Sequence, residues 1–141
     1  MLLSLEVAGA CALVALLLLL LLVLRRRRLT GRLGTFDCSL RHPGSRRWAL
    51  GVARYETDRL DWYRTFSLSP RPSRTFARGA LDVTRRRDAE GSERLAVQPG
   101  ALVVECRHAG DPLELAMGAD AYTGFASWLE SAPPGQNVNV A

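Results

Sequence analysis

The sequence predicts an N-terminal transmembrane α-helix followed by a mainly-β domain. In that domain about seven antiparallel strands form a half-open barrel, which a C-terminal helix caps. Three observations predict this arrangement. An uncharged apolar run extends from Val7 to Leu24. Apolar and polar residues then alternate in short stretches separated by turn residues, which is typical of strands. Near the C-terminus the apolar period changes from 2 to about 3.6, which is typical of an amphipathic helix.

The apolar run has the length and composition of a membrane anchor. As a helix it is roughly 27 Å long at about 1.5 Å per residue, close to the thickness of a hydrocarbon core. A cleaved signal peptide is the alternative, but it requires positive charges before the apolar run and small residues at a cleavage site after it. Here the charges come after the run. We therefore expect an uncleaved anchor that contacts the lipid bilayer through residues 7–24. The charges are Arg25, Arg26, Arg27 and Arg28.

These four arginines also predict the orientation of the chain. Short arginine-rich flanks stay on the cytoplasmic side of a membrane, and the N-terminal flank carries only Glu6. We expect a single-pass protein of the plasma membrane with its N-terminus outside and residues 25–141 in the cytoplasm. On one interpretation the arginines only set this topology. On another they also attract anionic lipid, at about 1 kcal/mol per basic residue near the surface.

Charge and cysteine content limit the classes of partner. The formal net charge is +5, and all 19 basic residues are arginine. After the four juxtamembrane arginines and Glu6 are set aside, 15 arginines face 13 acidic residues. This balance does not favour nucleic-acid binding. Cys38 and Cys106 lie in predicted strands, where a reducing cytoplasm favours buried free thiols. If the orientation were reversed, a disulfide between them would be the alternative.

The residues after a short glycine-containing linker at 29–33 are organised as strands and turns. Gly79 is expected to mark a bend within the fourth strand, and Asp88 to Ser92 to form a polar turn. The predicted strands are residues 36–41, 48–55, 60–68, 75–85, 95–97, 101–107 and 113–117.

One amphipathic helix follows the strands. Asp120 is the expected N-cap, and Pro133-Pro134 is expected to stop the helix. The anchor with its arginines at 1–28, the linker, a β domain at 34–133 and a flexible tail at 134–141 complete the predicted organisation. The apolar face of the helix comprises Ala121, Tyr122, Phe125, Trp128 and Leu129.

Strand count, size and the tryptophan-bearing helix give a resemblance to a known superfold. Residues 34–133 resemble the pleckstrin-homology-like superfold, with Trp128 as the motif-like residue of the C-terminal helix. The whole chain also resembles a family of actinobacterial membrane proteins classed as a domain of unknown function. That resemblance implies no functional residues. It is carried by the arginine-terminated anchor and by residues 48–55, 62–64, 123–129 and 133–134.

No motif for catalysis, cofactor binding or metal binding is present in the sequence. His42 and His108 each lie beside a predicted turn, without a nucleophile motif or metal-ligand spacing. Asp58 and Asp61 flank another turn and are most simply solvated. The absence of a glycine-rich loop before a helix excludes the common phosphate-binding signature. We therefore expect a non-enzymatic protein without a cofactor.

The first predicted hairpin is the candidate binding site. Arg41 ends its first strand, and Arg46 and Arg47 begin its second. In pleckstrin-homology domains that bind phosphoinositides, basic residues around this hairpin hold the phosphates, so the resemblance implies anionic-lipid contact here. Guanidinium groups suit such contacts because they can form two parallel hydrogen bonds. A merely solvated hairpin is the alternative. A second arginine cluster, Arg85, Arg86 and Arg87, is followed by acidic residues, and we expect it to lie in a mixed-charge surface loop.

Two functions follow from these features. The first is a membrane-tethered, non-enzymatic domain that contacts another membrane protein or the inner membrane surface. Tethering raises the local concentration, so a weak contact suffices, and an open sheet edge could pair with a partner strand. The second is a sensor of anionic lipid headgroups that uses the first hairpin.

Overall fold

A computed structural model describes residues 1–131 of the chain. In chain order its elements are α1 (Leu2–Thr30), β1 (Thr35–Arg41), β2 (Gly51–Tyr55), β3 (Arg59–Arg64), β4 (Arg74–Ala77), a 3₁₀ turn (Arg78–Ala80), β5 (Leu81–Asp88), α2 (Glu93–Ala96), β6 (Leu102–His108), β7 (Asp111–Met117) and α3 (Ala119–Glu130). The predicted tail at 134–141 and the Pro133-Pro134 stop lie outside the described residues.

Helix α1 is long and apolar enough to cross a membrane. Its candidate span, Leu2–Leu29, has a mean hydropathy of 3.1, and the rest of the described chain does not cover it. The helix continues past Arg28, where we expected the linker to begin, and ends at Thr30. There the N–H of Gly31 donates to the Arg27 carbonyl over 2.9 Å.

The seven strands form one antiparallel sheet in the order β4-β3-β2-β1-β7-β6-β5. Strand β1 connects the two halves, because its residues Thr35 to Asp37 pair with β2 and its residues Cys38 to Arg41 pair with β7. The 3₁₀ turn joins the two outermost strands, β4 and β5. Seven antiparallel strands in an open sheet, followed by a C-terminal helix, confirm the predicted pleckstrin-homology-like fold class.

The main core lies between the inner face of this sheet and α3. Alternate residues of β1 and β6 point inward, and Phe125 of α3 is completely buried among them. The predicted apolar face of the helix is confirmed, because its other members pack against the same core. The rings of Tyr55 and Trp128 are in contact at the end of β2, with centroids 5.5 Å apart and planes tilted by 36°. The helix therefore closes the end of the sheet at which β2 finishes.

The predicted fifth strand at 95–97 is wrong, since this segment belongs to helix α2 and the turn after it. Leu95 is 92% exposed, whereas Val97 is buried against Val103 and Ala116 on the outer face of the sheet. The backbone is helical because its first residue, Glu93, is fixed by arginine side chains of two strands. The segment between β5 and β6 thus covers a second, smaller core.

The predicted fourth strand is divided into β4 and β5, which restores the count of seven. Phe76 and Leu81 are both buried, and the 3₁₀ turn around Gly79 redirects the chain between them. The bend expected at Gly79 is confirmed. The arginines at 85–87 lie within β5 rather than in a surface loop, because this strand pairs with β6 as far as Asp88.

Other predicted element boundaries also differ from the observed ones. Strand β2 begins at Gly51 rather than at Trp48, with only a bridge between Leu40 and Ala49 before it. Strand β3 ends at Arg64, before the expected end of the strand at residue 68. Helix α3 is N-capped by Gly118, so Asp120 lies in its first turn, where a carboxylate still favours the helix dipole.

Cys38 and Cys106 are buried free thiols rather than a disulfide pair. Burial raises the pKa of the Cys106 thiol to about 12. The pKa of Cys38 is raised as well, chiefly by burial and further by Cys106 and Asp37. Both side chains act as small apolar groups of the core.

Candidate anion-binding groove

A groove of about 570 Å³, here called the basic groove, lies between the β1–β2 and β3–β4 connections. Its apolar floor contains Leu40 and Trp62. No aspartate or glutamate among residues 1–131 lines it. The basic side chains that line it are Arg41, His42, Arg47, Arg64 and Arg74.

The β1–β2 connection has a defined shape at the mouth of the groove. Pro43 and Gly44 form a tight turn, with Gly44 at a φ of 88°, a conformation that favours glycine. The N–H of Ser45 donates to the His42 carbonyl over 3.0 Å. Two backbone hydrogen bonds between Leu40 and Ala49 then close the loop. These contacts fix the backbone of the connection that carries the predicted basic residues of this hairpin.

The guanidinium of Arg41, the first predicted contact residue, forms ion pairs with two carboxylates. Its Nε donates to Glu114 over 2.6 Å, and its Nη2 donates to Glu93 over 2.8 Å. Its guanidinium also lies 4.5 Å from the centre of the Trp48 ring. These contacts raise the pKa of Arg41, with the hydrogen bond to Glu114 as the main cause. Arg41 is therefore a structural residue that supports the wall of the groove.

The partners of Arg41 extend into a network that also includes Arg87 of β5. Arg87 contacts Glu93 at 2.7 Å, Glu105 at 3.2 Å and Glu114 at 3.4 Å. The hydrogen bond from Arg87 is the main cause that lowers the pKa of Glu93 to about 2. The network fixes α2 on the outer face of the sheet and accounts for one of the arginines at 85–87. Of the others, Arg86 lies over the Tyr122 ring at 5.0 Å.

Arg46 and Arg47 are exposed and form no ion pair with any described residue. Arg47 lines the basic groove, and Arg46 does not. The structure therefore does not bring the three predicted hairpin arginines together around one ligand position. Their contact with anionic lipid stays a prediction, for which Arg47 has the suitable position.

Two arginines at the ends of the β3–β4 connection complete the groove. They were not among the site residues predicted from the sequence. Arg64 ends β3, and Arg74 begins β4; neither forms an ion pair with a described residue. The Nη2 of Arg74 lies 2.6 Å from the Nε2 of His42, so that ring nitrogen accepts a hydrogen bond from the guanidinium. Together with Arg47 they give a groove in which, as far as the described residues show, three guanidinium groups have no acidic partner.

The juxtamembrane arginines are not equivalent. Arg25 donates to the carbonyl of Ser69 over 2.9 Å and to that of Arg64 over 3.1 Å. The end of the apolar helix is therefore bonded directly to the β3–β4 connection. Arg26 lines a second groove of about 340 Å³ together with Phe66 and Leu95.

Residues 12–135 match the family described as "Protein of unknown function (DUF2550)". The chain belongs to this family. Relatives include the uncharacterized proteins Rv1312 of Mycobacterium tuberculosis, 35% identical over 94 residues, and ML1147 of Mycobacterium leprae, 32% identical over 94 residues. Each alignment covers 64% of this chain and 64% of the relative. The actinobacterial family expected from the sequence is confirmed.

Solved structures with similar topology include the C-terminal PH domain of human FYVE, RhoGEF and PH domain containing protein 3. It is 19% identical, with a TM-score of 0.48, over 72% of this chain and 91% of that domain. A C-terminal domain of an unknown protein from Leishmania infantum is 14% identical, with a TM-score of 0.45, over 70% of this chain and 83% of that domain.

Other polar residues of this DUF2550 member have structural partners. Asp61, which we expected to be solvated, is buried and accepts hydrogen bonds from Arg59 over 3.1 Å and from Thr75 over 3.2 Å. The Nε2 of His108 accepts one from the backbone N–H of Ala77 over 3.1 Å. Within residues 1–131 no three His, Cys, Asp or Glu side chains are grouped so that they could hold a metal ion.

Proposed function

We propose that this protein is a single-pass membrane protein whose cytoplasmic domain binds anionic lipid headgroups of its own bilayer without catalysing a reaction. The observation that carries the proposal is the basic groove beside the end of the apolar helix. Among residues 1–131 it is lined by three arginines without an acidic partner and by no aspartate or glutamate. The sequence left a protein partner and the membrane surface open, and this groove favours the surface.

The position of the groove supports a lipid rather than a soluble anion as its ligand. Arg25 immediately follows the apolar run and bonds to the carbonyl of Arg64, whose side chain lines the groove. If α1 spans the bilayer with its N-terminus outside, Arg25 lies among the cytoplasmic headgroups. The groove then opens beside the headgroups, and a low intrinsic affinity is sufficient.

The expected energetic contribution decides how the test is designed. Each basic residue near an anionic surface contributes about 1 kcal/mol, so two arginines contribute about 2 kcal/mol, or roughly 30-fold in affinity. The contribution decreases as salt screens the charges, with a screening length of about 8 Å at physiological ionic strength. A charge effect without a specific site would depend only on the number of arginines removed, wherever they lie.

The test uses the full chain in lipid nanodiscs with an increasing fraction of phosphatidylglycerol, followed by tryptophan fluorescence, because Trp48 and Trp62 line the groove. We expect the double variant Arg47→Gln, Arg64→Gln to need a much larger fraction of phosphatidylglycerol than the wild type to reach half of the maximal fluorescence change.

The matched control is the double variant Arg85→Gln, Arg107→Gln, which removes the same charge from exposed positions of β5 and β6. It should respond like the wild type. Equal weakening in both double variants would contradict a specific groove.

A protein partner is the second candidate, favoured by the free edge of β5. A groove of about 410 Å³ separates this edge from the end of α3 and is lined by Arg78, Val83 and Leu129. The Nε of Arg78 is buried and has no hydrogen-bond partner among the described residues. An extended strand of a partner protein could pair with this edge, and a carboxylate on that strand could accept a hydrogen bond from the Arg78 Nε. A photocrosslinker should then capture one reproducible neighbour from native membranes at Val83 but not at exposed Thr123.

A further inference from the structure

The β3–β4 connection is bonded to the end of the apolar helix by one side chain. Arg25 is partly buried, and its guanidinium donates to the carbonyls of Arg64 at 3.1 Å, Thr65 at 3.5 Å and Ser69 at 2.9 Å. A second bond to Ser69 comes from Nε at 3.3 Å. A guanidinium has five donors in a planar fork, so it can hold several carbonyls at once. This contact fixes the height of the connection relative to the helix.

That height follows from the sequence around Arg25. Leu24, the last residue of the apolar run, precedes it directly, so in a spanning helix the Arg25 guanidinium lies at headgroup level. Carbonyls within hydrogen-bond distance of this guanidinium lie at the same level. Phe66 and Leu68 lie between Thr65 and Ser69 and therefore share it.

These side chains are apolar and exposed. Phe66 is 74% exposed and Leu68 is 56% exposed, so neither side chain belongs to the core. Leu95 of α2, which is 92% exposed, lines the same groove as Arg26 and Phe66. Grouped exposed apolar side chains mark interaction surfaces, and aromatic rings are favoured at the boundary between hydrocarbon and headgroups.

The charge around these side chains indicates lipid as the occupant. The segment from Arg64 to Arg74 contains three arginines, including Arg71, and no acidic residue. Apolar groups flanked by arginine match an anionic membrane surface, into which the side chains insert while the guanidinium groups stay among the headgroups. A protein partner at this height would have to displace the headgroups next to Arg25.

We propose that Phe66, Leu68 and Leu95 insert into the interfacial region of the cytoplasmic leaflet, and that Arg25 holds them at this depth. The domain therefore has one fixed orientation on its own membrane, with α3 directed away from the lipid. This inference rests on the membrane anchoring in the proposed function, and it is independent of whether the basic groove binds headgroups.

The test places a fluorescent probe at residue 66 of the full chain in neutral phosphatidylcholine vesicles. The variant Phe66→Cys, in a Cys11→Ser background, is labelled with an environment-sensitive dye, since Cys38 and Cys106 are buried. Nitroxide lipids labelled near the headgroup should quench this probe strongly. A matched probe at exposed Ser127 of α3, introduced as Ser127→Cys in the same background, should be quenched little. Equal quenching at the two positions, or none at residue 66, would overturn the proposal.

Two further measurements separate the possible failures. In the otherwise native chain, a dye on Cys11 should be quenched by nitroxides deep in the bilayer. If it is not, the anchoring is wrong and the inference fails with it. If it is, but the probe at residue 66 is unquenched, only the inference fails. Arg25→Gln should reduce quenching at residue 66 at least twofold, whereas Arg28→Gln, with the same loss of charge, should not.

If Arg25→Gln and Arg28→Gln had equal effects, the proposed role of Arg25 would be excluded. If the probe at residue 66 shifted in emission only at high protein density, without quenching by lipid nitroxides, a second copy of the chain would be the occupant and the lipid proposal would be wrong.

Discussion

The indole N–H of Trp62 in β3 donates to the backbone carbonyl of Cys38 in β1 over 2.8 Å, so the bond reaches across β2. The ring lies directly over Gly51 at the start of β2, where a Cβ atom would be 2.4 Å from it. One buried side chain of the groove floor thus links β1 with β3 across β2.

Gly51→Ala should destabilise the domain by about 1–3 kcal/mol, because the added methyl group forces the Trp62 ring out of its position. The change is measured by chemical unfolding of the purified chain in detergent. Gly124→Ala is the matched control. Its Cβ would lie 3.4 Å from the Tyr55 hydroxyl, an ordinary contact, and alanine favours a helix by up to about 1 kcal/mol. If both variants lost similar stability, tight packing at Gly51 would not be the cause.

Glu93→Gln should destabilise the domain by about 1–3 kcal/mol at neutral pH, because the charged hydrogen bonds from Arg41 and Arg87 weaken. Glu90→Gln is the control, since only the backbone N–H of Glu90 joins the network. The measurement is the free energy of unfolding of each variant relative to the wild type. Equal stability of the two variants would contradict a structural role for the network.

The same carboxylate predicts a pH dependence. The pKa of Glu93 is lowered from 4.5 to about 2 in the folded protein. Its stabilising contribution is therefore fully present above pH 4.5 and is lost as the pH falls from 4.5 to about 2. Over this range the wild type should lose more stability than Glu93→Gln. Parallel stability curves for the two proteins would exclude Glu93 as a source of acid sensitivity.

Trp128→Phe should destabilise the domain by about 1 kcal/mol, because its indole N–H donates to the Glu56 carbonyl over 2.9 Å and phenylalanine lacks this donor. Trp128→Ala should cost about 3–5 kcal/mol, since the ring contacts with Tyr55 and Phe125 are lost as well. Unfolding of both is compared with Ser127→Ala, a change at an exposed neighbour. If Trp128→Phe lowered the free energy of unfolding as much as Trp128→Ala does, this account would be contradicted.

Cys38 and Cys106 should resist alkylation in the folded protein, because burial and a raised pKa suppress their thiolates. Their reaction with iodoacetamide at pH 8 is followed by mass spectrometry with and without denaturant. An exposed thiol introduced as Ser127→Cys should react quickly in both conditions. Rapid modification of Cys106 without denaturant would show that β6 opens far more readily than this packing allows.

Residue pattern was sufficient for the fold class and for the faces of most elements. The alternation around Cys38 and the helical spacing of Phe125 and Trp128 depend only on local periodicity, which the sequence contains. The segment at 95–97 was misassigned because three apolar residues fit a strand or a helical turn equally well. Its helical form depends on Glu93 reaching arginines of β1 and β5, which are distant in sequence.

The residues of the candidate site were harder to predict from the sequence, because they also depend on contacts between distant segments. Arg47 is next to a recognisable turn, but Arg64 and Arg74 join the groove only because the strand register pairs Gly51 with Arg64 and Trp62 with Arg74. Arg41 lines the same groove, but its ion pair with Glu114 could not be foreseen, because it depends on the pairing of β1 with β7. Register between distant strands is the information that local patterns lack.

The most direct test of headgroup binding is photocrosslinking of the full chain in nanodiscs that contain a photoactivatable phosphatidylglycerol or, separately, a photoactivatable phosphatidylcholine. Crosslinked residues are located by mass spectrometry. We expect the anionic lipid to label residues 42–49 and 64–74 far more than the neutral lipid does, and this excess to disappear in the Arg47→Gln, Arg64→Gln variant but persist in Arg85→Gln, Arg107→Gln. Labelling that is the same for both lipids, or that is unchanged in the groove variant, would contradict the proposed function.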